Sequence, residues 1–266
     1  MKRTLLCSSL LGAMVTLGTG CPEEKKEAPP APAPVAAPVA APVAAPVAAA
    51  PAAGGTGTIK GTVAFTGKAP ELPKINRKAD AYCGKTPEMA DDSVIVNKNA
   101  TLKNVVVRVS NVAGNFPAPS TAALISQENC SYSPRVQGIV AGQMVDIKNG
   151  DQTLHNVHTY KGAATLFNQA QLAGSPVVEK KFADAGAVIK FKCDVHPWML
   201  GWVVVNQNPF FAITGDDGSF EIKDVPAGKY TVEAWQEKYG MKTAEVTVGG
   251  APVEAKFSFD GTETGK

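Results

Sequence analysis

From Thr56 onward the chain alternates between apolar and polar positions. Thr58-Ile59-Lys60-Gly61-Thr62-Val63-Ala64-Phe65 alternates and stops at Thr66-Gly67, which predicts a strand closed by a turn. Val94-Ile95-Val96 and Val105 to Val109 predict two more strands, with turns at Asp91-Asp92 and Asn97-Lys98-Asn99. Ala122 to Ile125 opens the next section. Val136–Val140 and Met144–Ile147 flank Ala141-Gly142-Gln143, giving strand, turn, strand. Lys161-Gly162-Ala163-Ala164 reads as a loop. Val177–Phe182, Ala187–Phe191 and Trp202–Val205 read as strands, the second entered through Asp184-Ala185-Gly186. Ala212 to Ile222 reads as strand, Asp-Gly turn, strand, and Val225 to Ala234 repeats that plan. No amphipathic helix exceeds about three turns. The prediction is an all-β fold, with residues 121–207 ordered as a small Greek-key β-sandwich.

Composition changes the picture at the front of the chain. Of 266 residues, 25 are Gly and 20 are Pro, and 19% are charged, which fits a turn-rich β protein behind a Pro-rich segment. The formal net charge of +2 points to no nucleic-acid partner. Residues 1–20 read as an export signal: Lys2 and Arg3, an apolar stretch from Leu5 to Leu17, then Gly18-Thr19-Gly20 before Cys21. That apolar stretch is short of the ~20 residues that span a bilayer. Cys21 after small residues resembles a bacterial lipoprotein processing site, although Gly18 stands where that pattern prefers Leu. It implies a lipidated Cys21 at the mature N-terminus. Ordinary secretion is the alternative. Residues 21–55 continue as Ala/Pro repeats that bury no core, and are expected to form a disordered, extended tether.

Candidate chemistry concentrates in Phe191-Lys192-Cys193-Asp194-Val195-His196-Pro197-Trp198-Met199. A thiol, an imidazole and a thioether stand within seven positions, between two predicted strands. A second imidazole, His155, lies upstream in Thr153-Leu154-His155-Asn156-Val157-His158. A thiolate with two imidazoles and a weak axial thioether is the donor set of a redox-active copper ion. For each residue a plainer role exists: a buried thiol for Cys193, a core or surface His for His155 and His196, core filler for Met199. His158 lies at odd spacing from His155, so a strand turns the two to opposite faces. A surface or supporting role is expected for His158, with a replacement ligand or second metal contact as the alternative. Asp216-Asp217-Gly218 lacks the ligand spacing of a calcium loop and reads as a turn. No nucleophile elbow, phosphate loop or paired-carboxylate motif appears.

The Cys193-x-x-His196-x-x-Met199 spacing, with His155-Asn156-Val157 after Val145 to Asn149, resembles the cupredoxins. The loop spacing resembles that of amicyanin, and the first-histidine strand looks like that of plastocyanin and amicyanin. The resemblance covers residues 121–207 and implies one type 1 copper site with His155, Cys193, His196 and Met199 as ligands. It further implies Asn156 bonding across the ligand loops, a loop stiffened by Pro197, and a surface-facing His196 with Trp198 on an apolar docking rim. His158 is not required by that pattern. Excluding the signal, four Cys remain. With Cys21 lipidated and Cys193 on copper, Cys83 and Cys130 form an even pair, and a disulfide is the economical assignment. Both being free and buried is the alternative.

Thr214-Gly215-Asp216-Asp217-Gly218-Ser219-Phe220 followed by Pro226-Ala227-Gly228-Lys229-Tyr230 resembles the carboxypeptidase regulatory-like, or transthyretin-like, β-sandwich. That module begins with a G-x-V strand, and Gly61-Thr62-Val63 is the candidate. The expected organisation is a split module, 56–120 plus 208–260, with the cupredoxin domain at 121–207 inserted. Contiguous domains are the alternative. A split module requires strand 58–65 to share a sheet with 228–235.

The expected protein is therefore a lipid-anchored copper protein on the periplasmic side of a bacterial envelope. It carries single electrons between redox partners and is not an enzyme. A copper- or zinc-binding envelope protein, or an adhesion protein, is the competing expectation.

Overall fold

The structure, a computed structural model, describes residues 55–265. The expected signal, Cys21 and nearly all of the tether lie outside the described residues. No helix of the described residues is long and apolar enough to cross a membrane.

Four sheets form two sandwiches. The flanking sandwich pairs one sheet made of Ser219–Pro226, Thr56–Phe65, Val253–Glu254 and Phe257–Phe259 with a second made of Phe211–Ile213, Val106–Val109, Gly228–Gln236 and Gly240–Val248. Alternation places Ile59, Val63 and Phe65 on the inner face of the first strand, as a period of two requires. They meet Val107, Val109, Phe220, Ile222, Val232 and Ala234 in one core.

The site-bearing sandwich has a five-stranded sheet ordered Val136–Val140, Leu200–Asn206, Val188–Lys192, His155–Lys161, Ala164–Gln171. It faces a four-stranded sheet ordered Ser131–Ser133, Ala123–Glu128, Met144–Asn149, Val178–Lys181. Ile125, Ile139, Ile147, Val157, Ile189, Phe191 and Val203 fill the space between. A smaller apolar cluster of Val106, Val136, Val204 and Trp235 joins the two sandwiches.

Three expectations are corrected. Strand Thr56–Phe65 pairs antiparallel with Ser219–Pro226, whereas Gly228–Gln236 lies in the other sheet. The required sheet partnership of 58–65 with 228–235 is therefore absent, and the two strands meet across the core instead. For the same reason Ala212 to Ile222 is not a hairpin. Phe211–Ile213 pairs with Val106–Val109, and the Asp-Gly turn carries the chain from one sheet to the other. Val94 to Val96 forms only an isolated bridge, Val96 to Leu102.

Residues 74–91 form a loop closed on itself by Ile75 N–H donating to the Met89 carbonyl at 3.0 Å and Asp91 N–H to Pro73 at 3.0 Å. Arg77 Nη1 fastens it to the Asn129 carbonyl at 2.7 Å. Although it follows a strand of the flanking sandwich, this loop lies against the site-bearing one.

Candidate metal centre

Cys193 follows the last residue of strand Val188–Lys192, and His155 opens strand His155–Lys161. The two strands are antiparallel neighbours, with Lys192 opposite His158. Extending that ladder brings Cys193 beside the residues around Asn156. Asn156 N–H donates to Cys193 Sγ at 3.3 Å. The Asn156 side-chain oxygen accepts from Asp194 N–H, so one Asn ties the strand to the ligand loop. The loop closes through Met199 N–H to the His196 carbonyl, 2.9 Å, and Cys193 N–H to the Met199 carbonyl, 3.2 Å. That turn brings His196 back over Cys193.

The resulting cluster is compact and buried. His155 Nδ1 lies 2.9 Å from His196 Nδ1, and Cys193 Sγ lies 3.7 Å from the same His196 nitrogen. One donor atom from each of these three residues falls within 4.8 Å of the others. His155 and Cys193 are 0% exposed and His196 is 4% exposed. Met199 is buried in the same core cluster as Cys193. Two ring nitrogens aimed at one another beside a buried thiol form a donor set that fits a copper ion.

Electrostatics hold the donors in place. Burial pushes the Cys193 thiol up, but the bond from His155 and the N–H groups of Asn156, His196 and Val195 outweigh it and leave it below its ordinary range. Burial pushes the His155 imidazole down, yet Asp151 and Cys193 leave it above its ordinary value. His196 is lowered, chiefly by burial, with Asp80 opposing.

Two side chains at the site went unread in the sequence. Asp151 Oδ2 lies 2.8 Å from His155 Nε2, and Asp80 Oδ2 lies 3.2 Å from His196 Nε2. Asp151 precedes His155 by four residues, a signal that sequence inspection could have raised. Asp80 sits in the 74–91 loop, far from the ligand motif in sequence. Cys83 and Cys130 form a disulfide with Cα atoms 5.7 Å apart, and Cys83 Sγ lies 3.8 Å from His196 Nε2.

No family model and no curated protein matches this chain. Among solved structures it is similar to a purple cupredoxin from Nitrosopumilus maritimus, at 29% identity and TM-score 0.29, over 32% of this chain and 99% of that one. It is similar to amicyanin from Paracoccus versutus, at 25% identity and TM-score 0.30, over 38% of this chain and 97% of that one. A copper-containing nitrite reductase from Thermus scotoductus matches at 22% identity and TM-score 0.29, over 35% of this chain and 24% of that one. The neighbours are cupredoxins or contain copper, and the likeness covers about a third of the chain. None of these comparisons takes in the flanking sandwich as a transthyretin-like module.

Three further placements differ from or refine the resemblance. His196 does not face the surface: Asp80 and Cys83 lie over its outer edge. Trp198 is not a free rim. Its ring packs 5.1 Å from the His196 ring and its Nε1–H donates to the Cys130 carbonyl at 3.1 Å. His158 points away from the cluster, with Nδ1 2.8 Å from Asp194 Oδ2 and Nε2 3.0 Å from Thr165 Oγ1.

Proposed function

We propose that this protein is an exported, lipid-anchored type 1 copper protein that carries single electrons between redox partners of a bacterial envelope. The observation that carries the reading is the buried convergence of His155 Nδ1, His196 Nδ1 and Cys193 Sγ. These three would hold the ion, with Met199, buried in the same cluster, as a further donor. Copper bound there would supply a one-electron couple between Cu(II) and Cu(I).

The chain's own residues do the rest. Asn156 fixes the sulfur by its N–H and the loop by its side chain. Pro197 removes one backbone donor from the loop and restricts its φ. Burial of all three donors excludes water and leaves no open position for a substrate, which favours a carrier over an enzyme. Anchoring rests on Cys21 and the signal-like residues before it. The sheet partnership first required for a split module is absent; the organisation 56–120 and 208–260 around 121–207 is proposed instead from the single core that Ile59, Val107, Phe220 and Val232 share.

The test is an absorption spectrum. Purified protein loaded with Cu(II) is expected to be intensely coloured and to bleach reversibly with a mild reductant. Cys193→Ser should abolish the colour. A colourless protein that takes zinc in preference would overturn the reading. The covering of His196 by the 74–91 loop favours a second reading, metal holding without electron transfer, and that spectrum separates the two.

A further inference from the structure

We infer that Asp80 and Asp151 are positioning residues for the two histidines, and that the Cys83–Cys130 disulfide is the frame that holds both carboxylates. The inference rests on the metal reading above for its redox consequence, but its geometry stands on the polypeptide alone.

Each histidine ends a chain of the same kind. Cys83 N–H donates to Asp80 Oδ1 at 2.7 Å, and Asp80 Oδ2 reaches His196 Nε2. Cys130 N–H donates to Asp151 Oδ2 at 2.8 Å, and that same oxygen reaches His155 Nε2. Both half-cystines thus anchor the carboxylates through their own backbone. The remaining bonds reinforce the pairing. Tyr82 spans it, with its N–H on Asp80 Oδ1 at 2.8 Å and its hydroxyl on Asp151 Oδ1 at 3.2 Å. Asn129 N–H donates to Asp151 Oδ1 at 2.8 Å, and the Thr153 hydroxyl to Asp80 Oδ2 at 3.2 Å.

The chemical consequence follows from which ring nitrogen is engaged. A carboxylate that accepts from Nε2–H keeps the proton there, fixes the ring's rotation and leaves Nδ1 as the donor atom. It also makes that nitrogen a stronger donor. A stronger donor favours the higher-charged Cu(II) over Cu(I). Asp80 comes from the 74–91 loop, so a segment outside the site-bearing sandwich helps to set the character of the centre. Reduction of the disulfide by a dithiol, which consumes two electrons and two protons and yields two thiols, would release that loop.

The experiment compares Asp80→Asn and Asp151→Asn with the parent protein, each checked for unchanged far-ultraviolet circular dichroism. Removing the carboxylate charge is expected to weaken Cu(II) binding by about tenfold or more, with a smaller loss for Cu(I). A full tenfold difference between the two states raises the reduction potential by about 59 mV. Unchanged potentials in both variants, with copper bound one to one, would overturn the inference. Cys83→Ser with Cys130→Ser should shift the potential the same way. Its effect should add less than fully to that of either aspartate variant, because it acts through the same two carboxylates. Full additivity would remove the disulfide from the account. In metal-free protein, nitrogen-15 resonance of the rings gives a readout that needs no copper. His155 and His196 should both carry hydrogen on Nε2, and Asp151→Asn should expose the His155 proton to faster exchange. Rings unprotonated at Nε2 refute the inference directly. A parent protein that takes up no copper defeats the function proposed above, while the ring measurement still decides this one.

Discussion

At Asp151 two backbone N–H groups, a phenol and an imidazole converge on one buried carboxylate. Burial raises its pKa, but these bonds outweigh it and hold the group below its ordinary value of 3.8. A carboxylate depressed in the folded state contributes stability above its unfolded pKa and loses it as pH falls through the folded value. His155, held above its ordinary value of 6.5, works in the other direction: its contribution is complete below 6.5 and is lost as pH rises through the folded value. The metal-free protein should therefore lose stability on both sides of a mildly acidic plateau. A tenfold change in proton affinity on folding corresponds to about 1.4 kcal/mol. Asp151→Asn should flatten both limbs in urea titrations taken across pH; a parent-like curve would show that the ion pair contributes little. At this scale the ligand residues were readable because Cys193, His196 and Met199 occupy one short loop whose spacing carries the chemistry. Asp80 was not, since its bond to His196 joins residues 116 positions apart. Nothing in local pattern marks such a pair.

Among elements, the turn at Asp217-Gly218 has the sharpest requirement. Gly218 has φ +69°, and a Cβ there would stand 2.2 Å from Thr101 Cβ and Oγ1. Gly218→Ala meets both a left-handed backbone and a packed neighbour, so a loss of at least about 1 kcal/mol is expected, measured by equilibrium urea unfolding. A neutral outcome would mean the turn relaxes freely. Sequence pattern located this turn and both flanking strands but assigned them to one hairpin. Alternation reports which face of a strand is buried, not which strand lies beside it. Strand Ala164–Gln171 was missed for a related reason. It is an edge strand with nearly every side chain exposed or half exposed, so it carries no alternating signal. Its pairing with His155–Lys161 became visible only in three dimensions. Val94 to Val96 shows the converse, since a β-rich apolar triplet without a ladder partner makes no strand.

In the whole molecule, the two sandwiches meet at a buried charge as well as at the Val106–Trp235 cluster. Arg135, beside the site-bearing sheet, bonds Glu237 of the flanking sandwich through Nε at 2.6 Å and Nη2 at 2.9 Å. The side chains are 7% and 4% exposed. Trp202 Nε1–H donates to the same carboxylate at 2.7 Å. Arg135→Ala strands that carboxylate, and a loss of about 3–5 kcal/mol is expected, read from tryptophan fluorescence in denaturant. Arg135 also pairs with Asp92, so replacing Arg135, Glu237 and Asp92 together with apolar residues of similar volume should cost far less. Equal losses from the single and triple changes would show that charge compensation is not what matters there. The all-β class and the broad run of strands were legible from alternation, whereas the junction was not. Arg135 and Glu237 are unremarkable charged residues until folding removes water from both.

The pairing of Thr56–Phe65 with Ser219–Pro226 also has a consequence in time. A ribosome delivers the first of these strands early and the second only after every strand of the site-bearing sandwich has been made. The opening strand must wait, unpaired, while the middle of the polypeptide is still emerging. A nascent chain halted before Ser219 would leave its oldest strand exposed, and would be a target for proteases or for chance association with a neighbour.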